Sequence, residues 1–371
     1  MPLASLLDFW KRDPETAPNL VAWQTLPARP AQTHPFPDDL PAPVKQTLIA
    51  SGIHTLYSHQ LEAWTHVRVG RNIVLSTGTA SGKTLAYNMP VFASLLQDPN
   101  ARALYLFPTK ALAQDQLSNL QSLHLTLGTP HLIPAIYDGD TPQKDRPAIR
   151  KNAHIILSNP DMLHTGILPH HTNWSDFFTN LRFVVIDETH TYRGVFGSHV
   201  ANVIRRLKRV AKFYGANPQF ILASATIGNP KELAEHLIEE PVHLIDNDGS
   251  GRGPRHFIIY NPPITDPALG LRKSSLLEGV RLAQDLLTSN VQSVVFARSR
   301  RSVEIVLRYL QGNQSVDSSI ESPMINYDSL PSLQLAVRGY RSGYLPTQRR
   351  EIEKGLREGT VKTVVATNAL E

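Results

Sequence analysis

The sequence has 371 residues, 41% of them hydrophobic and 19% charged, with a formal net charge of +5. That length fits about two domains able to bury real cores, and the modest basic excess fits a polyanionic partner without requiring one. The absence of cysteine excludes a disulfide framework and any cysteine-ligated zinc in this stretch, while no apolar run is long enough to span a bilayer. A cytoplasmic protein with no membrane partner is the expectation.

Along the chain, eight prolines fall between Pro14 and Pro43. Such density disfavours regular helix and strand, so residues 1–45 read as a Pro-rich arm laid on the first domain, or as a linker. Short β-branched or aliphatic runs follow at Asn72–Ser76, Ala103–Phe107, Ile155–Leu157, Phe183–Ile186 and Phe220–Ser224. Between them, Thr84–Leu96 and Lys110–Leu123 carry apolar residues at helical spacing. The alternation argues an α/β fold with a parallel sheet and crossover helices on both faces. The turn-rich stretch from Asp246 to Pro254 marks a boundary. The reading is therefore a first domain over 46–246, a linker over 247–254 and a second domain over 255–371. The second domain carries strands at His256–Tyr260, Ser293–Ala297 and Lys362–Ala366, and it reads as incomplete.

Ser76-Thr77-Gly78-Thr79-Ala80-Ser81-Gly82-Lys83-Thr84 follows a strand and opens a helix, which is the context of a phosphate-binding loop. Small residues at Thr79, Ala80, Ser81 and Gly82 let backbone N–H groups wrap a phosphate. The helix N-terminus adds positive potential, Lys83 reaches the β/γ oxygens, and Thr84 places a hydroxyl on Mg²⁺. Thr77 stands where the strict pattern has glycine. A buried-strand run, Phe183-Val184-Val185-Ile186, ends in Asp187-Glu188-Thr189-His190, and Asp187 lies 104 positions after Lys83. Acids at the carboxyl end of a neighbouring parallel strand sit beside the loop mouth. Asp187 is the candidate metal residue and Glu188 the candidate base for water.

Asp-Glu-Thr-His in this setting resembles the DEAD/DEAH-box helicases of superfamily 2. Tyr57-Ser58-His59-Gln60 is similar to the Q motif, which makes Gln60 the adenine-reading residue. Pro108-Thr109-Lys110-Ala111-Leu112-Ala113 resembles motif Ia, and Ser158-Asn159-Pro160-Asp161 motif Ib. Ser224-Ala225-Thr226 resembles motif III, which with His190 couples the nucleotide to the strand-binding surface. Val294-Val295-Phe296-Ala297-Arg298-Ser299 is similar to motif IV, and Thr367-Asn368-Ala369-Leu370-Glu371 to the opening of motif V. The resemblance implies tandem RecA-like P-loop domains, ATP and Mg²⁺ as cofactors, and a single strand gripped at its phosphates. The residues implied there are Pro108, Thr109, Lys110, Asn159, Pro160, Arg298, Arg300, Thr367 and Asn368. Position alone agrees, since Thr109 and Lys110 follow one strand and Arg298, Arg300 and Arg301 another. Arg205, Lys208 and Arg209 share a helix face and read as a solvated surface.

A narrower resemblance lies in Thr77–Lys83, Pro108–Gln116, Tyr192–Val200 and Tyr340–Tyr344. These are similar to the RecQ4-related branch that includes the bacterial mitomycin-repair-factor-A (YprA-like) helicases. That branch implies ATP-dependent 3′-to-5′ movement on DNA and a role in lesion repair. The motor motifs themselves leave two alternatives open: an RNA helicase, or a catalytically incomplete fragment that only binds nucleic acid. The rest of motif V, motif VI with its arginine fingers and the branch's zinc-binding domain are not within these 371 residues. Arginine fingers are worth about 10³–10⁵ in rate in other phosphoryl-transfer enzymes. Residues 1–371 alone are therefore expected to bind ATP but hydrolyse it very slowly. Robust DNA-stimulated turnover by this segment in a phosphate-release assay would contradict that.

Overall fold

The computed structural model describes residues 3–127, 132–312, 336–341 and 343–367. The chain divides into two compact units. One is Ala28–Gly253, and the other joins Met1–Pro27 to Pro254–Glu371.

Ala28–Gly253 is built on a seven-stranded sheet in which every pairing is parallel. Its spatial order is His243–Ile245, Ile73–Ser76, Gln219–Ser224, Leu181–Ile186, Arg102–Leu106, Ile155–Ser158 and Pro134–Ile136. Ile73–Ser76 and Ile155–Ser158 are buried along their whole length. That is why they read as unbroken apolar runs rather than as alternations. Successive side chains go to opposite faces. Val74, Leu104, Ile156, Val184 and Leu222 enter one core, while Ile73, Leu75, Tyr105, Ile155, Val185 and Ile221 enter the other. Helices including Lys83–Gln97 and Gly194–Phe213 cover these faces. All the strands point the same way, so the loops after Ser76, Leu106, Ser158, Ile186 and Ser224 emerge along one edge, where α/β folds hold ligands.

The second unit corrects the expected Pro-rich arm in part. Helix Leu3–Arg12 buries Leu6, Leu7 and Trp10, packing with Leu282 and Leu286 of helix Ser275–Thr288. Trp10 Nε1 donates to Asp285 Oδ2 at 2.9 Å. Strand Leu20–Leu26 then pairs antiparallel with Arg255–Tyr260. The prolines do not prevent this because they sit at permissive places. Pro18 is in the first turn of a 3₁₀ helix, Pro43 in the first turn of helix Ala42–Ala50, and none interrupts Leu20–Leu26. His256–Tyr260, expected in the second parallel sheet, therefore belongs to a two-stranded antiparallel ribbon. The parallel sheet of this unit has the order Ser293–Phe296, Thr363–Ala366, Val337–Tyr340. Among the described residues, no helix is long and apolar enough to cross a membrane.

Candidate nucleotide-binding and hydrolysis site

The loop after Ser76 is bent by two residues in the left-handed region, Ala80 at φ +59° and Gly82 at φ +84°. Glycine suits Gly82 on two counts. It carries that φ, and a Cβ there would lie 2.6 Å from Gln60 Nε2. The buried hydroxyls of Thr77 and Ser81 bond to each other at 2.7 Å, so Thr77 serves as the loop's internal staple where a strict pattern has glycine. Lys83 opens helix Lys83–Gln97, and its ammonium turns back into the loop, donating to Thr77 O at 2.8 Å and Gly78 O at 3.0 Å. Burial lowers the Lys83 pKa, opposed by the negative charges of Glu188 and Asp187. The fields of both acids thus reach this ammonium. Gln60 is held by the Tyr57 amide, which donates to its Oε1 at 2.9 Å, and it donates through Nε2 to Gly82 O at 3.1 Å. Thr79 and Ala80 are exposed at the loop tip.

Asp187 follows strand Leu181–Ile186. Its Oδ2 accepts from the Tyr87 hydroxyl at 3.0 Å and its Oδ1 from the Glu188 amide at 2.8 Å. Burial, reinforced by the Glu188 charge, pushes its pKa from 3.8 up to about 6. Thr84 stands three residues before Tyr87 on the same helix. One buried phenol therefore fastens the candidate metal carboxylate to the helix that carries the candidate metal hydroxyl. Sequence reasoning missed Tyr87, because in a helix with a buried face it reads as core. Glu188 adopts φ +51°, an uncommon conformation for a residue with a side chain, of the kind that collects at functional sites.

His190 Nδ1 lies 3.2 Å from Glu188 Oε2 and 3.2 Å from the Ala225 amide nitrogen. A single ring nitrogen either accepts from that amide or, protonated, donates to that carboxylate, so the two contacts exclude each other. Thr189 Oγ1 donates to Ala223 O at 2.8 Å and Ser76 Oγ to Ala225 O at 3.4 Å. These bonds stitch the acid loop, the phosphate loop and the Ser224–Thr226 loop together. Ser224 is buried with its hydroxyl unpartnered, and Thr226 is exposed.

The remaining sequence candidates in this unit cap helices at neighbouring strand ends. Thr109 Oγ1, after Pro108, accepts from Leu112 N at 3.4 Å, and Asn159 Oδ1 accepts from Met162 N at 2.8 Å, with Pro160 in that helix's first turn. Lys110 makes an exposed ion pair with Asp140 at 2.8 Å, a bond worth about 0–1 kcal/mol and readily exchanged. Asp140 belongs to a tight Asp138–Thr141 turn, built by Asp138 Oδ1 accepting from Asp140 N at 2.9 Å and Thr141 N at 3.1 Å. Its Asp-Gly-Asp-Thr sequence was a legible turn signal passed over in the sequence. Arg205 and Lys208 pair with Glu239 at 2.6 Å and Glu240 at 2.5 Å. In the second unit, Arg298 and Arg300 are exposed after strand Ser293–Phe296, and Thr367 N donates to Tyr340 O at 3.4 Å. Asn368, the rest of the motif V opening and Ser342 lie outside the described residues.

A glycine-bent loop closed on a lysine, beside paired acids at the carboxyl edge of a parallel sheet, defines a P-loop protein of the RecA-like class. The DEAD/DEAH box helicase family matches residues 57–233. The uncharacterized ATP-dependent helicase YprA of Bacillus subtilis is 51% identical over 353 residues, covering 95% of this chain and 45% of that protein. The ATP-dependent helicase HRQ1 of Saccharomyces cerevisiae is 39% identical over 321 residues, 85% of this chain and 29% of that one. The crystal structure of the DUF1998 helicase MrfA bound to DNA and AMPPNP matches with a TM-score of 0.91 at 48% identity, covering 100% of this chain and 49% of MrfA. The chain belongs to the superfamily 2 DEAD/DEAH-box helicases, in the YprA-like branch, with tandem RecA-like domains. It spans less than half the length of YprA and HRQ1.

Asp187 generates a pH prediction. Its folded pKa lies above the ordinary 3.8, so the stability it contributes is present below about pH 4 and lost as pH rises through about 6. Without nucleotide or divalent ion, Asp187→Asn should be more stable than wild type at pH 7.5 by about 1–3 kcal/mol. That gap should narrow by about 1 kcal/mol at pH 5. Denaturant titration at the two pH values checks both, and a variant less stable at pH 7.5 contradicts the assignment.

Proposed function

We propose that this chain is the ATP-driven motor of a DNA helicase that moves 3′ to 5′ and acts in DNA repair. What supports the reading is that Lys83 and the acid pair Asp187 and Glu188 follow parallel strands at one edge of the sheet, with the charges of both acids felt at Lys83 and His190 linking the acid loop to the Ser224–Thr226 loop. The direction and the repair role follow the branch. DNA as the polyanion is supported by MrfA, which was solved with DNA bound, and by the Tyr192–Val200 block.

The donor set suits a magnesium nucleotide. The loop turns its backbone at Ala80 and Gly82 so that amides can face phosphate oxygens, and Lys83 adds a cation that rests on loop carbonyls. Thr84 and Asp187 offer hard oxygen ligands, the carboxylate held by Tyr87. When bound, ATP with Mg²⁺ supplies the phosphoanhydride to be broken and the Lewis acid that polarises it. Glu188 orients the attacking water and takes its proton. His190 exchanges the Ala225 amide for the Glu188 carboxylate as its partner, which carries the state of the acid loop to the coupling loop. Thr109, Lys110 and Asn159 present donors to the phosphates of one strand, gripping without reading bases, and Arg298, Arg300 and Thr367 do the same from the second unit. Gln60 reads the adenine edge.

In the full-length protein, Lys83→Ala should lose ATP binding. Glu188→Gln should keep it while single-stranded-DNA-stimulated hydrolysis falls by about 10²–10⁴-fold. Single-stranded RNA should stimulate the wild type less than DNA does. Wild-type turnover by Glu188→Gln, or equal stimulation by RNA, contradicts the proposal.

A further inference from the structure

The turn-rich stretch after strand His243–Ile245, read from sequence as a linker, is fastened to the phosphate loop. Asn247 O accepts from Ser58 Oγ at 3.3 Å, Gly249 N donates to His59 Nδ1 at 3.3 Å, and Gln32 N donates to Gly249 O at 2.8 Å. Arg29 and Arg252 exchange both backbone hydrogen bonds at 2.8 Å, an isolated antiparallel bridge. Within this brace, Asp248 is nearly buried at 10% side-chain exposure. One oxygen accepts from Ser250 N at 3.0 Å and Ser250 Oγ at 2.6 Å. The other accepts from the Gly78 amide of the phosphate loop at 3.2 Å and also takes the Arg252 guanidinium. Burial works to raise the Asp248 pKa, but the bonds from Ser250 and Gly78 and the Arg252 charge outweigh it and hold the carboxyl below its ordinary value. It stays an anion.

The Arg252 guanidinium lies directly over Gly78, in the space a side chain at that position would fill. Its charge, like that of Asp248, is felt at Lys83. A surface ion pair alone would not need this placement. Here a nearly buried carboxylate, itself fixed by three donors, aims a planar cation at Gly78, a loop residue without a Cβ.

We infer that Arg252, aimed by Asp248 as a positioning residue, is a second cation of the phosphate site and contacts the polyphosphate of a bound nucleoside triphosphate. Arg29 supports the pair from Asp248 Oδ1 at 3.5 Å. The recognition chemistry is guanidinium on phosphate oxygen, which is charge-assisted and directional. It rewards each added phosphate and is indifferent to the base. Because Arg252 closes the segment that leaves this unit at Gly253, it also puts the start of the interdomain connection in direct contact with the nucleotide.

The inference rests on the nucleotide-motor reading, and fluorescent-nucleotide titration of the full-length protein separates the two. Arg252→Gln should weaken ATP binding about 10–100-fold, ADP binding by less and AMP binding least. Its melting temperature without nucleotide should fall only slightly, because Asp248 keeps its bonds from Ser250 and Gly78. Arg252→Lys should recover part of the ATP affinity, and Asp248→Asn should lose part of it. If Arg252→Gln binds ATP as wild type does, or loses ATP and AMP affinity equally, the inference is overturned while the motor reading stands. If wild type and Lys83→Ala bind ATP alike, the motor reading itself fails. Should Arg252→Gln melt early, the Arg252→Lys comparison of ATP with AMP decides in its place.

Discussion

A carboxylate held out of water beside an ammonium is the constraint around which this site is arranged. Asp187 would ordinarily keep its charge by staying hydrated, but here the Tyr87 hydroxyl and the Glu188 amide replace part of that hydration, and burial still raises its pKa to about 6. Lys83 meets the matching cost, its ammonium partly dehydrated and lodged on loop carbonyls. Both groups are held in place without full satisfaction, which is the condition in which a polyphosphate and a divalent cation gain most from binding.

The parallel sheet makes this arrangement possible. Because its strands share one direction, the phosphate loop, the acid loop, the Ser224–Thr226 loop and the capping residues Thr109 and Asn159 all emerge on the same edge. His190 adds a connection that can take only one form at a time, to Glu188 or to Ala225. A contact of that kind has two alternative states, whereas a permanent hydrogen bond would only stiffen the loops. On the other flank, Asp248 and Arg252 extend the loop's contacts to the segment that leads out of the unit.

Much of this was legible in the residues. The five core strands of the first domain stand within one or two residues of their expected positions, because strands buried on both faces must be written in unbroken apolar side chains. The phosphate loop and the Asp187–His190 quartet were legible because their chemistry demands particular small, cationic and acidic residues in sequence. Other features were hidden for physical reasons. Pro134–Ile136 and His243–Ile245 have three residues each, too few to display a period. Tyr87 has the composition of core, and its role lies in where its hydroxyl points. Asp248 and Arg252 sit among glycines and turn formers that read as linker, and only tertiary contact reveals them as part of the loop's surroundings. The pairing of Leu20–Leu26 with Arg255–Tyr260 joins segments more than two hundred residues apart, which no local pattern records.

The central claim is that Lys83, Asp187 and Glu188 serve one metal–nucleotide centre. Electron paramagnetic resonance with Mn²⁺ in place of Mg²⁺ and a non-hydrolysable ATP analogue tests it most directly. The account predicts one tightly bound Mn²⁺ per chain that appears only with the nucleotide, and that is lost in Asp187→Asn although the analogue still binds. An identical Mn²⁺ signal in wild type and Asp187→Asn would contradict it.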